Sequence, residues 1–198
     1  MVTVTLIDDH PSVSGAIGAW LCSTGRFTIA GTAKNLTEAR TLFTNPETLP
    51  DIIILDISLG KEDGLSLIPE LKKIYKKRKT KIAIMVCSVH ENTFNVKRAM
   101  KLGAQGYVPK SAELSEILAA IDTIRAGNTY ISPRTEKQQE AVPALSDREN
   151  EVAALVKQSL TNTQIAERTG VGVRTVEKHL EHIYNKLNIT SREELLML

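Results

Sequence analysis

Five residues far apart in the chain share one kind of position and one kind of chemistry. Asp8 and Asp9 end the run Val2-Thr3-Val4-Thr5-Leu6-Ile7, and Asp56 ends Ile52-Ile53-Ile54-Leu55. Ser88 ends Ile82-Ala83-Ile84-Met85-Val86-Cys87, and Lys110 follows Gly106-Tyr107-Val108-Pro109. Each run is rich in β-branched or aliphatic residues, the composition of a strand. Two adjacent carboxylates repel and weaken a strand end unless solvent or a cation neutralises them. Taken alone, Asp8-Asp9 reads equally well as a solvated turn. Three carboxylates at equivalent strand ends favour the cation. Oxygen donors without nearby Cys or paired His suit a hard ion such as Mg²⁺, which keeps room for phosphate oxygens. A carboxylate can attack phosphorus to form an aspartyl phosphate, with a cation, a lysine and a hydroxyl neutralising the equatorial oxygens. Asp56, central on the sheet, is the natural nucleophile.

The elements that must bring these residues together follow from periodicity. Strands are expected at 2–7, 27–32, 51–56, 82–87 and 105–109, and helices at 11–23, 36–45, 64–75, 92–102 and 113–126. Five β-α repeats imply an α/β domain with a parallel sheet covered on both faces. Ligands of such sheets bind beyond the strand C-termini, where all five residues fall. Residues 132–143, SPRTEKQQEAVP, are polar and proline-bounded and read as a linker. From 144 to 198 only helical spacing remains, at 147–157, 162–168, 174–187 and 192–198. In 174–187, Val176, Leu180, Ile183 and Leu187 form one apolar stripe, opposite Arg174, Glu177, Lys178, Glu181 and Asn185. A short helix, a GVGV turn and this helix make a helix-turn-helix plan, whose second helix can enter the DNA major groove.

The spacing of Asp8-Asp9, Asp56, Asp63-Gly64, Ser88 and Gly103-Ala104-Gln105-Gly106-Tyr107 ending in Lys110 resembles the receiver domain of two-component response regulators over residues 1–131. The resemblance implies a flavodoxin-like, doubly wound, five-stranded sheet. It implies that Asp9, Asp56 and the Ser58 carbonyl hold Mg²⁺, with Asp8 acting through water. It further implies that a sensor histidine kinase phosphorylates Asp56, that Lys110 and Ser88 contact the phosphoryl group, and that Tyr107 is an aromatic that reorients. Residues 144–198 are similar to the LuxR-type helix-turn-helix of the NarL/FixJ regulators at Leu145, Arg148, Glu149, Glu151, Val152, Asn162, Ile165, Ala166, Thr175, Val176, His179, Ile183, Lys186, Leu187 and Arg192. This implies binding to promoter DNA as a homodimer, with Arg174, Thr175, Glu177, Lys178 and Glu181 as the expected contacts.

Departures from both patterns exist. Gly60 stands where the receiver pattern commonly has Pro, which is expected to loosen the loop after Asp56, and Val89 replaces a small residue beside the phosphoryl position. In the second domain Ser159 replaces a helix-ending Gly, Thr163 a Lys, Thr169 a core Leu, Gly172 a Ser cap and Glu177 an exposed Lys. The fold is expected to survive them, but DNA affinity to suffer, because phosphate neutralisation dominates it. Residues 145–198 carry 7 Lys/Arg against 8 Asp/Glu, whereas 1–131 carry 16 against 13.

Of the 198 residues, 42% are hydrophobic and 24% charged, the balance of a globular protein with room for two cores. No aliphatic run approaches the roughly 20 residues that span a bilayer, and a cytoplasmic protein without membrane contact is expected. Cys22 and Cys87 read as buried thiols. The basic run Lys72 to Lys81 reads as a solvated helix end, with attraction to nucleic acid or an acidic partner as the alternative. His10 is left aside as a loop residue, and the i, i+3 pair His179 and His182 is set aside as a metal site because the resemblance makes His179 the motif's structural His. Two other functions compete with a DNA-binding regulator. One is a regulator that works by protein contact with DNA binding weakened or lost. The other is an aspartyl-phosphate phosphatase, disfavoured because Ser58 stands two residues after Asp56, where such enzymes place a second carboxylate.

Overall fold

The computed structural model describes residues 1–44, 49–79, 81–90, 93–135, 144–187, 189 and 191–196. The chain divides into two compact units, the first comprising Met1–Glu91 and Asn95–Thr135 and the second including Glu136–Leu198. In the first, strands β1 (Val2–Ile7), β2 (Phe27–Ala33), β3 (Ile52–Leu55), β6 (Ala83–Ser88), β7 (Gly106–Pro109) and β8 (Tyr130–Ile131) form one parallel sheet. Its order is β2-β1-β3-β6-β7-β8. The five expected strands are all present, and β8 is a sixth, too short to announce itself by alternation. The order reverses at β1, so the crevice between the ends of β1 and β3 is a topological switch point.

Every residue of β3, β6 and β7 is buried, which explains why these strands are nearly unbroken apolar runs. Helices α1 (Pro11–Ser23) and α5 (Leu114–Arg125) cover one face through Ile17, Leu21, Ile117, Ile121 and Ile124. Helices α2 (Leu36–Leu42), α3 (Leu67–Arg78) and α4 (Thr93–Leu102) cover the other through Ala39, Ile68, Leu71, Tyr75, Val96 and Ala99. Helix α3 runs three residues beyond the expected 75 and closes on Lys79 in the left-handed region at φ 56°. Cys87 is buried as expected, but Cys22 is exposed on α1.

Between β3 and α3 lies an element absent from the sequence reading: β4 (Ser58–Leu59) and β5 (Glu62–Asp63) form an antiparallel hairpin. Gly60 turns it at φ +67° and donates its N–H to Asp9 Oδ2 at 2.9 Å. Proline can do neither, so the glycine tightens this loop rather than loosening it. Glu62 accepts from the Leu36 N–H at the start of α2, and Asp63 caps the following 3-10 turn through Leu65 N and pairs with Arg98. Gly64 N donates to the Ile57 carbonyl at 2.7 Å, and a Cβ on Gly64 would stand 2.0 Å from the Asp56 carbonyl oxygen.

The second unit contains α6 (Asp147–Lys157), α7 (Asn162–Thr169), α8 (Val173–Leu187) and α9 (Arg192–Leu196). Their apolar faces meet at Val152, Val156, Ile165, Val176, Leu180, Ile183 and Leu195. Ser146 with Glu149 and Thr161 with Gln164 form capping boxes that start α6 and α7. Ser159 adopts φ 62° where a glycine would rest without strain, and Thr169 turns its hydroxyl onto the Ile165 carbonyl. The expected linker survives in description only as 132–135, which belong to the first unit; its remainder, and the expected helix ends at 45, 92 and 197–198, lie outside the described residues. Ser132 N donates to the Tyr107 carbonyl, which carries the first unit past β8. Among the described residues, no helix is long and apolar enough to cross a membrane.

Two outcomes follow from this packing. Gly64→Ala forces its methyl into the Asp56 carbonyl, and overpacking of this kind costs about 1–3 kcal/mol. Thermal unfolding of the variant should show the first unit melting well below the parent, and an unchanged melting curve contradicts the geometry. Glu149, buried in its capping box, is held at about pKa 2 by the hydrogen bond from Lys186 Nζ at 2.7 Å and by the Ser146 N–H. A depressed carboxyl pKa stabilises the fold above the ordinary value of 4.5, and that contribution is lost as pH falls from there through about 2. Circular dichroism between pH 7 and 2 should show Glu149→Gln less stable at neutral pH and converging on the parent at the acid end. Parallel profiles overturn the assignment.

Candidate functional site

Strand register brings the five residues to one rim. Ile7 pairs with Leu55, and Asp56 N donates to the Ile7 carbonyl at 2.8 Å, so Asp8 and Asp56 leave the sheet side by side. Ser88 pairs with Pro109, and Lys110 N donates to the Ser88 carbonyl at 2.9 Å. Lys110 then reaches across the switch point: its Nζ lies 2.7 Å from Asp8 Oδ2 and 2.7 Å from Asp56 Oδ2. Burial disfavours the ammonium, but the hydrogen bonds to Asp56 and Asp8 together outweigh it and raise the lysine above its ordinary pKa. The lysine is therefore an ammonium at neutral pH.

The two oxygens of Asp56 are unlike. Oδ2 is held by Lys110, whereas Oδ1 is buried and has no hydrogen-bond partner. The residue is only 2% exposed, so this oxygen is not open to bulk water. A buried carboxylate oxygen without a partner carries a desolvation cost that a cation or an electrophile would relieve. Asp9 Oδ1 is likewise buried without a hydrogen bond, although His10 Nδ1 lies 2.7 Å from it. Asp8, Asp9, His10 and Asp56 each offer an atom within 4.8 Å of the others, a group that can hold a metal ion. Oxygen dominates this donor set, and Asp56 Oδ1 is without a partner, so a hard divalent cation fits it. His10, set aside as a loop residue, belongs to this cluster; its position next to Asp9 was the only signal of it.

The remaining predicted residues form the far wall. Ser88 is fully buried, and its hydroxyl accepts the His90 N–H at 3.2 Å. Tyr107 is fully buried too, and its hydroxyl donates to the His90 carbonyl. Ser58 Oγ lies 3.2 Å from His90 Nε2. His90 thus ties the loop after β3 to the loop after β6 and to Tyr107, a role that no spacing rule disclosed. Val89 projects into solvent at 66% exposure. Burial against the Asp8–Lys110–Asp56 cluster pushes the Cys87 thiol up to about 12, so it stays protonated and is no rival nucleophile.

On the second unit Arg174, Thr175, Glu177, Lys178 and Glu181 are all exposed on α8, as the apolar stripe predicts. At 100° per residue Arg174, Lys178, Glu181 and Glu177 fall on one face opposite that stripe, with Thr175 at its edge. Glu177 and Glu181 line a crevice of about 650 Å³ with Tyr184, Asn185, Asn162 and Arg192. Arg192 is fixed there by Asn162 Oδ1 at 2.9 Å and by the Leu160 carbonyl.

Comparison with known proteins agrees with both halves. Residues 4–122 match the response regulator receiver domain, and residues 143–198 match the bacterial regulatory proteins of the luxR family. The transcriptional regulatory protein MctR of Rhizobium johnstonii is 28% identical over 98% of this chain and 91% of its own. The nitrate/nitrite response regulator protein NarL of Escherichia coli is 28% identical over 97% and 92%. Among solved structures, the response regulator ChrA of a heme-sensing two-component system is 26% identical, with a TM-score of 0.55 over 99% of this chain and 94% of that one. RcsB from Salmonella enterica serovar Typhimurium, bound to a promoter, shares the fold at 22% identity, with a TM-score of 0.70 over 99% and 96%. Two matched families that cover nearly the whole chain in the order the strands and helices require leave one conclusion: this protein is a response regulator of the NarL/FixJ family, a receiver domain followed by a LuxR-type DNA-binding domain.

Proposed function

We propose that Asp56 accepts a phosphoryl group from the phosphohistidine of a sensor histidine kinase, and that this modification controls dimerisation and promoter binding by the LuxR-type domain. The observation that carries the reading is the asymmetry of Asp56, whose Oδ2 is anchored by Lys110 while its buried Oδ1 has no partner. Oδ1 attacks phosphorus, a P–O bond forms, and the P–N bond breaks. Its electron pair leaves with the imidazole, which takes a proton from solvent. Lys110 and the Ser88 hydroxyl then meet the phosphoryl oxygens, as preorganised donors do where negative charge gathers. Asp9, Asp56 and the Ser58 carbonyl, with Asp8 through water, would hold Mg²⁺, which supplies further neutralisation of the equatorial oxygens.

Ser88 links this chemistry to a conformational change. Its hydroxyl accepts from His90 N, and the His90 carbonyl accepts from Tyr107. A Ser88 hydroxyl turned toward phosphate frees the His90 loop and with it Tyr107, so phosphorylation biases a two-state equilibrium. The chain works as a regulator, not a turnover phosphatase: the residue two after Asp56 is Ser58, a hydroxyl beside His90 in place of a carboxylic acid. Domains at 1–131 and 144–198 with a connecting 132–143, a cytoplasmic setting and a homodimer on DNA complete the reading.

Arg174 and Lys178 give the recognition helix its phosphate or base contacts, and Glu177 and Glu181 can accept from cytosine amino groups. The crevice that Glu177 and Glu181 line with Tyr184 and Arg192 favours a second reading in which this face meets a protein. One experiment separates these. Acetyl phosphate with Mg²⁺ should add one phosphoryl group by intact-protein mass spectrometry, lost in Asp56→Ala, and the phosphorylated form should bind a selected site in a random-sequence DNA library more tightly than the variant. Equal labelling of Asp56→Ala overturns the phosphoacceptor assignment. Labelling without any DNA selected overturns the promoter-binding part and leaves the protein-contact reading.

A further inference from the structure

At the pole of the first unit opposite Asp56, where the strands begin, lies a cleft of about 710 Å³. Among the described residues, Lys72, Lys76, Lys81 and Arg125 line it, against a single carboxylate, Asp51. That carboxylate is engaged, because Asp51 Oδ2 accepts from both the N–H and the hydroxyl of Thr3 at 2.9 Å. None of the four cations has an ion pair among the described residues, although surface pairs occur elsewhere on the unit, as at Arg26–Asp122 and Arg40–Glu70. Helix dipoles account for Lys76 and Arg125, which sit in the last turns of α3 and α5. They do not account for Lys72, in the middle of α3, or for Lys81, which precedes β6 and lies in no helix.

Lys72 is the informative one. Its stem packs over Gly103, where a Cβ would come within 2.9 Å of Cε, and the residue is half-buried. Burial lowers its pKa, with no compensating charge among the described residues. Four cations around one concavity repel each other, and an ammonium held half out of water gains from an anion that enters. The walls between the charges are apolar, from Val2, Ile82 and Ile124. A volume of this size suits a ligand of nucleotide dimensions.

We propose that this cleft binds a small di- or triphosphate, with Lys72 and Lys81 as its principal phosphate contacts. Such a ligand enters at the far end of the strands from Asp56 and does not compete with phosphorylation there. Two sources share the chemistry, a nucleoside triphosphate and an inorganic polyphosphate chain, and the apolar walls distinguish them.

The test is calorimetric titration of the full chain with ATP and with sodium tripolyphosphate, at constant ionic strength and in EDTA so that no metal bridges phosphate to the acidic rim. One saturable site is expected, weakened about tenfold by each of Lys72→Met and Lys81→Met, as loss of a charged hydrogen bond predicts. Asp56→Ala and the charge control Lys97→Met/Lys101→Met on α4 should bind as the parent does. Tighter binding of ATP than of tripolyphosphate assigns the apolar wall to a nucleoside, and equal binding assigns the site to the phosphate chain alone. Absence of saturable binding, an equal loss in the charge control, or binding only to an oligonucleotide or an acidic polypeptide overturns the proposal. Circular dichroism melting of each methionine variant distinguishes lost contacts from lost fold.

Discussion

The Lys110 ammonium, 2.7 Å from carboxylate oxygens of both Asp8 and Asp56, is the interaction on which the rim of the sheet depends. Two nearly buried carboxylates and a third beside them cannot share a strand-end crevice as bare charges. The effective cost of burying an ion is several kcal/mol even after relaxation, and mutual repulsion adds to it. One cation between two anions reverses the sign of the nearest terms. It does so with a geometry that only the sheet can supply, because Asp8, Asp56 and Lys110 lie on three strands whose parallel register is set by buried aliphatic residues. Packing and function are coupled here: the fold spends stability at the rim, and the apolar strands behind it offset that cost.

The same bridge leaves a remainder. Lys110 satisfies one oxygen of Asp56 and one of Asp8, and Asp56 Oδ1 and Asp9 Oδ1 stay buried without hydrogen bonds. A site with this unfilled demand for positive charge favours a hard cation and a phosphorus electrophile over water. The hairpin of β4 and β5 preserves the arrangement by tying Gly60 to Asp9 and Glu62 to the start of α2. The second unit follows a different logic, with capping boxes and the Glu149–Lys186 pair joining α6 to α8, while the exposed face of α8 mixes cations with Glu177 and Glu181.

Much of this was legible from residue order. The strands that deliver Asp8, Asp9, Asp56, Ser88 and Lys110 are apolar runs ending in polar residues, and the helices carry a 3.6-residue period strong enough to read. What escaped was too short for a period or depended on contacts across the fold. Strands β4, β5 and β8 have two residues each. His90 meets Ser58 from 32 positions away, and Gly60 reaches Asp9 from 51. Gly60 was legible as a departure but misjudged, since its backbone N–H and positive φ, both unavailable to proline, close the loop. Glu177 was placed on the exposed face correctly, but its share in the crevice beside Arg192 needed the position of α9.

If Lys110 stands in for positive charge at the rim, it competes with a divalent cation for the same carboxylates. Calorimetric titration of Mg²⁺ into the parent and into Lys110→Met tests this most directly. At an effective dielectric of about 20 a unit charge about 4 Å away is worth roughly 4 kcal/mol before screening. Loss of the ammonium should therefore tighten Mg²⁺ binding by about tenfold or more. Unchanged or weaker binding in Lys110→Met would contradict the account, because the lysine would then be organising the carboxylates rather than neutralising them.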